Sequence, residues 1–139
     1  MKKLLLFFAV FLICTNFTSA NDDKFINALR NCSPSYNGTD TVNIGDINAL
    51  SAKSLSGWKN NICTYRESLK INGNNIVTTC NFTKAQINEI VSVADAYYLT
   101  LKYTNEKVDT SSLDAVKNNP LVNVMNKYLQ DPSVCSMSE

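Results

Sequence analysis

Histidine is absent from all 139 residues, and glycine, proline and tryptophan number only four, three and one. Without histidine there is no Ser-His-Asp triad, no Cys-His nucleophile and no imidazole metal ligand. Basic charge is not in excess either: 13 Lys and Arg stand against 12 Asp and Glu. That leaves no surplus for neutralising phosphates and argues against a nucleic-acid binder. The five cysteines contain no C-x-x-C pair, which removes the thioredoxin-like motif and the paired-cysteine zinc knuckle. No cofactor-binding motif stands out. What is present is an ordinary apolar fraction, 45%, over a length that suits one small folded domain.

The first twenty residues read as an address. Lys2 and Lys3 precede an uninterrupted apolar run from Leu4 to Cys14, and Thr18-Ser19-Ala20 supplies small side chains for cleavage. The run is too short for a spanning helix, which needs roughly 20 residues, and no second run of that length follows. Cleavage after Ala20 leaves a mature chain from 21 to 139 with no membrane span. A lipid anchor at Cys14 is disfavoured by the bulky Ile13 before it. The short leader and the asparagine-rich composition look bacterial, so the expected location is periplasmic or secreted. Without Lys2 and Lys3 the balance becomes 11 basic against 12 acidic side chains, a near-neutral surface.

The mature chain keeps Cys32, Cys63, Cys80 and Cys135. Four cysteines in an exported domain read as two disulfides, with three connectivities open. Each bridge is worth ~2–4 kcal/mol, a large share of a small domain's stability.

Periodicity places the elements. Phe25, Ala28, Leu29 and Cys32 share one face of a short helix over 22–32, capped by Asn21 or Asp22 and ended by Pro34. Residues 33–40 read as a polar loop, followed by a short strand over 41–47 and a poorly marked one over 51–58. A clear strand covers 62–70. Asn72-Gly73 is the strongest short hairpin signal, because both central residues of a type I′ turn need positive φ, and the partner strand runs over 75–81. That turn sets Leu69 opposite Ile76, Tyr65 opposite Cys80 and Cys63 opposite Phe82, all on one buried face. Cys63 is then diagonal to Cys80, a pairing that is geometrically possible but strained, so bridges from this face to Cys32 and Cys135 are at least as available.

Thr83 to Gln86 forms a capping box, with Phe82 and Ile87 as its hydrophobic staple. It opens a helix over 84–103 whose stripe is Ile87, Ile90, Val91, Ala94, Tyr97, Tyr98 and Leu101. The helix ends near Asn105. Ser111 or Ser112 caps a short turn of helix through Lys117. Asn119-Pro120 starts another helix that buries Leu121, Val124, Met125 and Tyr128, stopped by Asp131-Pro132. Cys135 lies in a tail that would fray unless tied down. The fold class is therefore α+β: a short N-terminal helix, an antiparallel meander of three or four strands, and two or three C-terminal helices on one sheet face, with two disulfides.

Among chemistry-bearing residues, Glu67 is the oddity. Alternation puts it on the buried face with Cys63, Tyr65 and Leu69. One interpretation is a general acid with a raised pKa. The favoured one is a hairpin end that extends past the helices, where Glu67 is solvated or serves as an inward-pointing charge against edge pairing. Asp95, beside the long helix's stripe, would complete a carboxylate pair if it approached Glu67. Asp40, Asn43 and Asp46 offer oxygens but lack calcium-loop spacing. Trp58, in a turn, and Tyr36 and Tyr98, at margins, are the candidates for an exposed aromatic patch, whereas Tyr65, Tyr97 and Tyr128 sit at core positions. The Asn-x-Ser/Thr triplets at Asn31, Asn37 and Asn81 are expected by chance in an asparagine-rich chain.

Cys32-Ser33-Pro34, Cys63-Thr64-Tyr65 and Cys80-Asn81-Phe82-Thr83 together resemble a loose group of small exported bacterial proteins of unknown function, over roughly residues 22 to 104. The resemblance implies no activity, substrate or cofactor. By subtraction, the expected role is a non-enzymatic binding, inhibitory or envelope-accessory module whose partner is an envelope or extracellular protein or a glycan. The alternatives are a carboxylate-dependent hydrolase of cell-wall or polysaccharide substrates using Glu67 and, more weakly, a thiol-disulfide redox protein.

Overall fold

The structure is a computed structural model, and it describes residues 24–44, 47–109 and 112–139. The leader with Cys14, the expected caps Asn21 and Asp22, the candidate oxygen ligand Asp46 and the alternative cap Ser111 lie outside the described residues. Helix α1 (Lys24–Asn31) leads into a meander of β1 (Asn37–Ile44), β2 (Ile47–Lys59), β3 (Ile62–Ile71) and β4 (Asn74–Thr83). Helices α2 (Lys84–Thr104), α3 (Leu113–Lys117) and α4 (Pro120–Leu129) follow, and β5 (Cys135–Ser138) closes the order. The sheet is antiparallel throughout, in the order β1-β2-β3-β4-β5.

The β3–β4 hairpin forms in the expected register, with Cys63 opposite Phe82, Tyr65 opposite Cys80 and Leu69 opposite Ile76. Asn72 and Gly73 take φ of 49° and 82°, the left-handed pair that a two-residue primed turn requires. Thr83 caps α2: its side chain accepts from the Gln86 N–H, and the Gln86 side chain accepts from the Thr83 N–H. Asn105, in the left-handed region, ends the same helix by donating its N–H to the Leu101 carbonyl. Ser112 caps α3. The buried Asn119 caps α4 by accepting from the N–H groups of Leu121 and Val122, with Pro120 behind it.

Inward side chains alternate along the strands and meet the helices on one face only. Phe25, Tyr65, Phe82 and Tyr128 run through this core as a chain of tilted and edge-on ring contacts, with centroids 5.5, 6.5 and 5.8 Å apart. Outside the core, Arg30 on α1 pairs with Asp95 on α2 at 2.8 Å. Lys127 and Tyr128 on α4 both donate to Glu89 on α2. Cys32–Cys63 joins the end of α1 to β3, and Cys80–Cys135 joins β4 to β5.

Several expectations are corrected. The segment read as a loop over 33–40 becomes strand from Asn37, because backbone pairing with β2 needs no apolar alternation on an edge. The sheet has five strands rather than three or four, since the tail after Pro132 pairs with β4 from Cys80 to Val77. The strand read over 51–58 extends over Ile47–Lys59 and carries a bulge between Leu55 and Trp58. Gly57 sits in that bulge at φ +76°, where an added Cβ would lie 3.2 Å from Pro34. On α2 the tyrosines exchange roles: Tyr98 is buried and Tyr97 only partly so.

Candidate functional site

The sheet separates charge by face, and this follows from its register. Its strands carry two carboxylates, Asp40 and Glu67, and four cations, Lys53, Lys59, Arg66 and Lys70. Asp40 stands opposite Ser51 and Glu67 opposite Lys53, all on the inward face. Lys59, Arg66 and Lys70 fall on the outward positions.

Inward, Gly38, Lys53, Glu67, Thr78 and Met137 form one row across all five strands. Glu67 is 1% exposed and Lys53 2%. Ser51 Oγ donates to Glu67 Oε1 at 2.8 Å, and Tyr65 OH donates to Oε2 at 2.6 Å. The Phe25 ring lies 4.9 Å from Lys53 Nζ, a cation–π contact supplied by α1. Gly38 leaves a gap at the end of the row, and the Tyr36 ring folds into it. Burial pushes the Glu67 carboxyl above the ordinary carboxylate value; Lys53 and the two hydroxyl donors pull the other way. Thr78 Oγ1, beside it in register, has no hydrogen-bond partner among the described residues.

The expectation of a solvated Glu67 is therefore overturned. The inward carboxyl is accommodated because Lys53 stands directly opposite it and two hydroxyls donate to it. A general acid must also reach its substrate, and an enclosed Glu67 does not. Asp95 does not join it, being engaged with Arg30 at the surface. Trp58 is 40% exposed, next to the bulge and opposite Cys63. Tyr36, the other marginal aromatic, packs its ring 5.7 Å from Phe25. All four cysteines, Cys32, Cys63, Cys80 and Cys135, are bridged and buried, whereas a redox pair needs access. Among the described residues no group of three or more Cys, Asp or Glu gathers around a point that would hold a metal.

Outward, the sheet presents hydroxyls, amides and cations. Thr64 Oγ1 donates to Asn81 Oδ1 at 2.8 Å, and Ser68 Oγ donates to Asn75 Oδ1 at 2.7 Å. Both amide oxygens are thus occupied within the sheet, and both Nδ2 groups remain as donors on the face. Leu50 is the large apolar side chain exposed there. No ion pair to Lys59, Arg66 or Lys70 forms among the described residues. This one-signed face escaped sequence reasoning because net charge averages over the whole surface. The signal was nonetheless available, as Arg66 and Lys70 alternate with Glu67 along β3.

Comparison with family models, with curated proteins and with solved structures finds no match for this chain.

Proposed function

We propose that the chain is a small exported protein, released by cleavage after Ala20, that acts as a non-enzymatic binding module through the outward face of its sheet. The observation that carries this is the sheet's division of charge: both carboxylates face inward, and three cations face outward among Ser, Thr and Asn side chains. Two disulfides suit an oxidising compartment. No described helix is long and apolar enough to cross a membrane. A rigid, cross-linked scaffold loses little entropy when its face is occupied. The resemblance to small exported bacterial proteins, which rests on Cys32-Ser33-Pro34 and its companions, points the same way.

Two single substitutions test this. Ala52 is exposed at the centre of the outward face, and Ala96 is exposed on α2. Immobilised Ala52→Glu protein is expected to lose retention of native envelope or extracellular material, while Ala96→Glu keeps it. Equal retention by the two variants would remove the sheet face as the recognition surface.

A further inference from the structure

We infer that the partner of the outward face is an acidic polysaccharide, a chain of sugars bearing carboxylate or sulfate groups. This rests on the proposed use of that face for binding. Three observations select the chemistry.

The first is charge complementarity. Lys59 stands opposite Ile62, four residues before Arg66, and Lys70 lies four residues after it. At ~3.3 Å per residue, the cations follow one another along the strand direction at intervals of about 13 Å. They form an open track with no outward carboxylate on the described strands to neutralise it. An extended polymer with regularly placed anions fits such a track, and a single small anion does not.

The second is donor content. Between the cations the face offers the amide N–H₂ groups of Asn75 and Asn81, whose oxygens are already engaged by Ser68 and Thr64. These donors suit the hydroxyl and carboxylate oxygens of sugars.

The third is what the outward positions do not carry. They hold no aromatic residue on which nucleic-acid bases would stack, since Trp58 stands in the row of Cys63. Among the described residues their large exposed apolar side chain is Leu50. The face carries one arginine, the exposed Arg66, and none of the aromatic anchors on which a protein interface centres, and a lipid surface would want an apolar face to insert.

The test is a titration of the exported, disulfide-bonded protein with oligogalacturonate at low salt, followed by isothermal calorimetry. A neutral dextran oligosaccharide, an oligothymidylate and phosphatidylglycerol vesicles run beside it. Two triple variants of equal charge change are compared: Lys59→Gln, Arg66→Gln, Lys70→Gln on the face, and Lys84→Gln, Lys102→Gln, Lys107→Gln on α2 and the segment after it. All six residues are exposed, and thermal melts check that both variants fold.

The expected result is binding of oligogalacturonate but not dextran, weakened by salt. The face variant should lose about tenfold in affinity, as three exposed ion pairs together imply, and the helix-side variant should change less than about twofold. Absence of oligogalacturonate binding would overturn the inference. So would equal losses in the two variants, or oligothymidylate or vesicles binding as tightly through the same three cations. If Ala52→Glu abolishes retention of native material while oligogalacturonate fails to bind, the face stands and only its partner is wrong.

Discussion

Replacing Glu67 by glutamine should make the protein's stability less sensitive to pH, with a calculable slope. In the fold this carboxyl is enclosed, and burial raises its pKa above the ordinary value of 4.5 despite Lys53, Tyr65 and Ser51. In the unfolded chain it titrates near that ordinary value. Between the unfolded and folded values, the native state therefore holds a proton that the unfolded state has released. The stability contributed by the neutral carboxyl is full below about pH 4.5 and declines as pH climbs through the raised folded value. The decline for one group is at most about 1.4 kcal/mol per pH unit. Glutamine keeps the volume and a partner for each hydroxyl but does not titrate, so its advantage over glutamate should grow at up to that rate. Near pH 4 the two proteins should agree to within about 1 kcal/mol, the worth of one neutral hydrogen bond. The other ionisable groups are shared, so their contributions largely cancel in the difference. Urea denaturation of the disulfide-intact proteins from pH 4 to 8, in half-unit steps, measures the two curves. For a chain of this size each kcal/mol also moves Tm by roughly 4 °C. Parallel curves would refute the reasoning: they would mean that Lys53 and the hydroxyl donors hold the buried charge as comfortably as water does.

Other outcomes follow from the same structure. Cys135→Ala with Cys80→Ala should lower unfolding free energy by ~2–5 kcal/mol, read by denaturation. It should also free the amides of β4 that pair with β5 to exchange, read by hydrogen–deuterium exchange. Asn119→Ala removes the acceptor for two helix N–H groups at a buried cap and should cost ~1–2 kcal/mol in the same assay. Gly57→Ala forces a side chain into a left-handed position against Pro34 and should cost at least about 1 kcal/mol. The Glu89 carboxyl is held below its ordinary 4.5 by hydrogen bonds from Lys127 and Tyr128. Its carbon-13 titration midpoint should therefore lie below that value and rise in Lys127→Met. The stability linked to Glu89 is present above the unfolded value and lost as pH falls through the folded one.

Local signals were legible wherever a few neighbouring residues decide the outcome. Asn72-Gly73 set the β3–β4 register, Thr83 and Gln86 opened α2, and Asn119-Pro120 opened α4. Elements decided by distant partners were not. β1 is polar because it is an edge strand with one open face, so its first residues look like a loop. β5 has four residues and exists through pairing with β4 and the Cys80–Cys135 bridge. The inward row of β2 includes Ser51 and Lys53, which hides its alternation. Without β2 in place, nothing local reveals that Glu67 has a cation opposite it. The outward face was missed for a related reason: its identity depends on which strands stand side by side.

The disulfides divide the chain into two closed covalent rings in series. One spans Cys32 to Cys63, a separation of 31 residues, and the other Cys80 to Cys135, a separation of 55. The rings neither overlap nor nest. A backbone cut inside either ring leaves every piece tethered, so a nicked molecule keeps all its parts within reach of refolding. Only the stretch between Cys63 and Cys80, most of the β3–β4 hairpin with its Asn72-Gly73 tip, joins the two rings through backbone alone. A cut there leaves the halves held by strand pairing and packing without a covalent tether. The hairpin whose register was easiest to read is thus the single backbone bridge between the two cross-linked halves of the molecule.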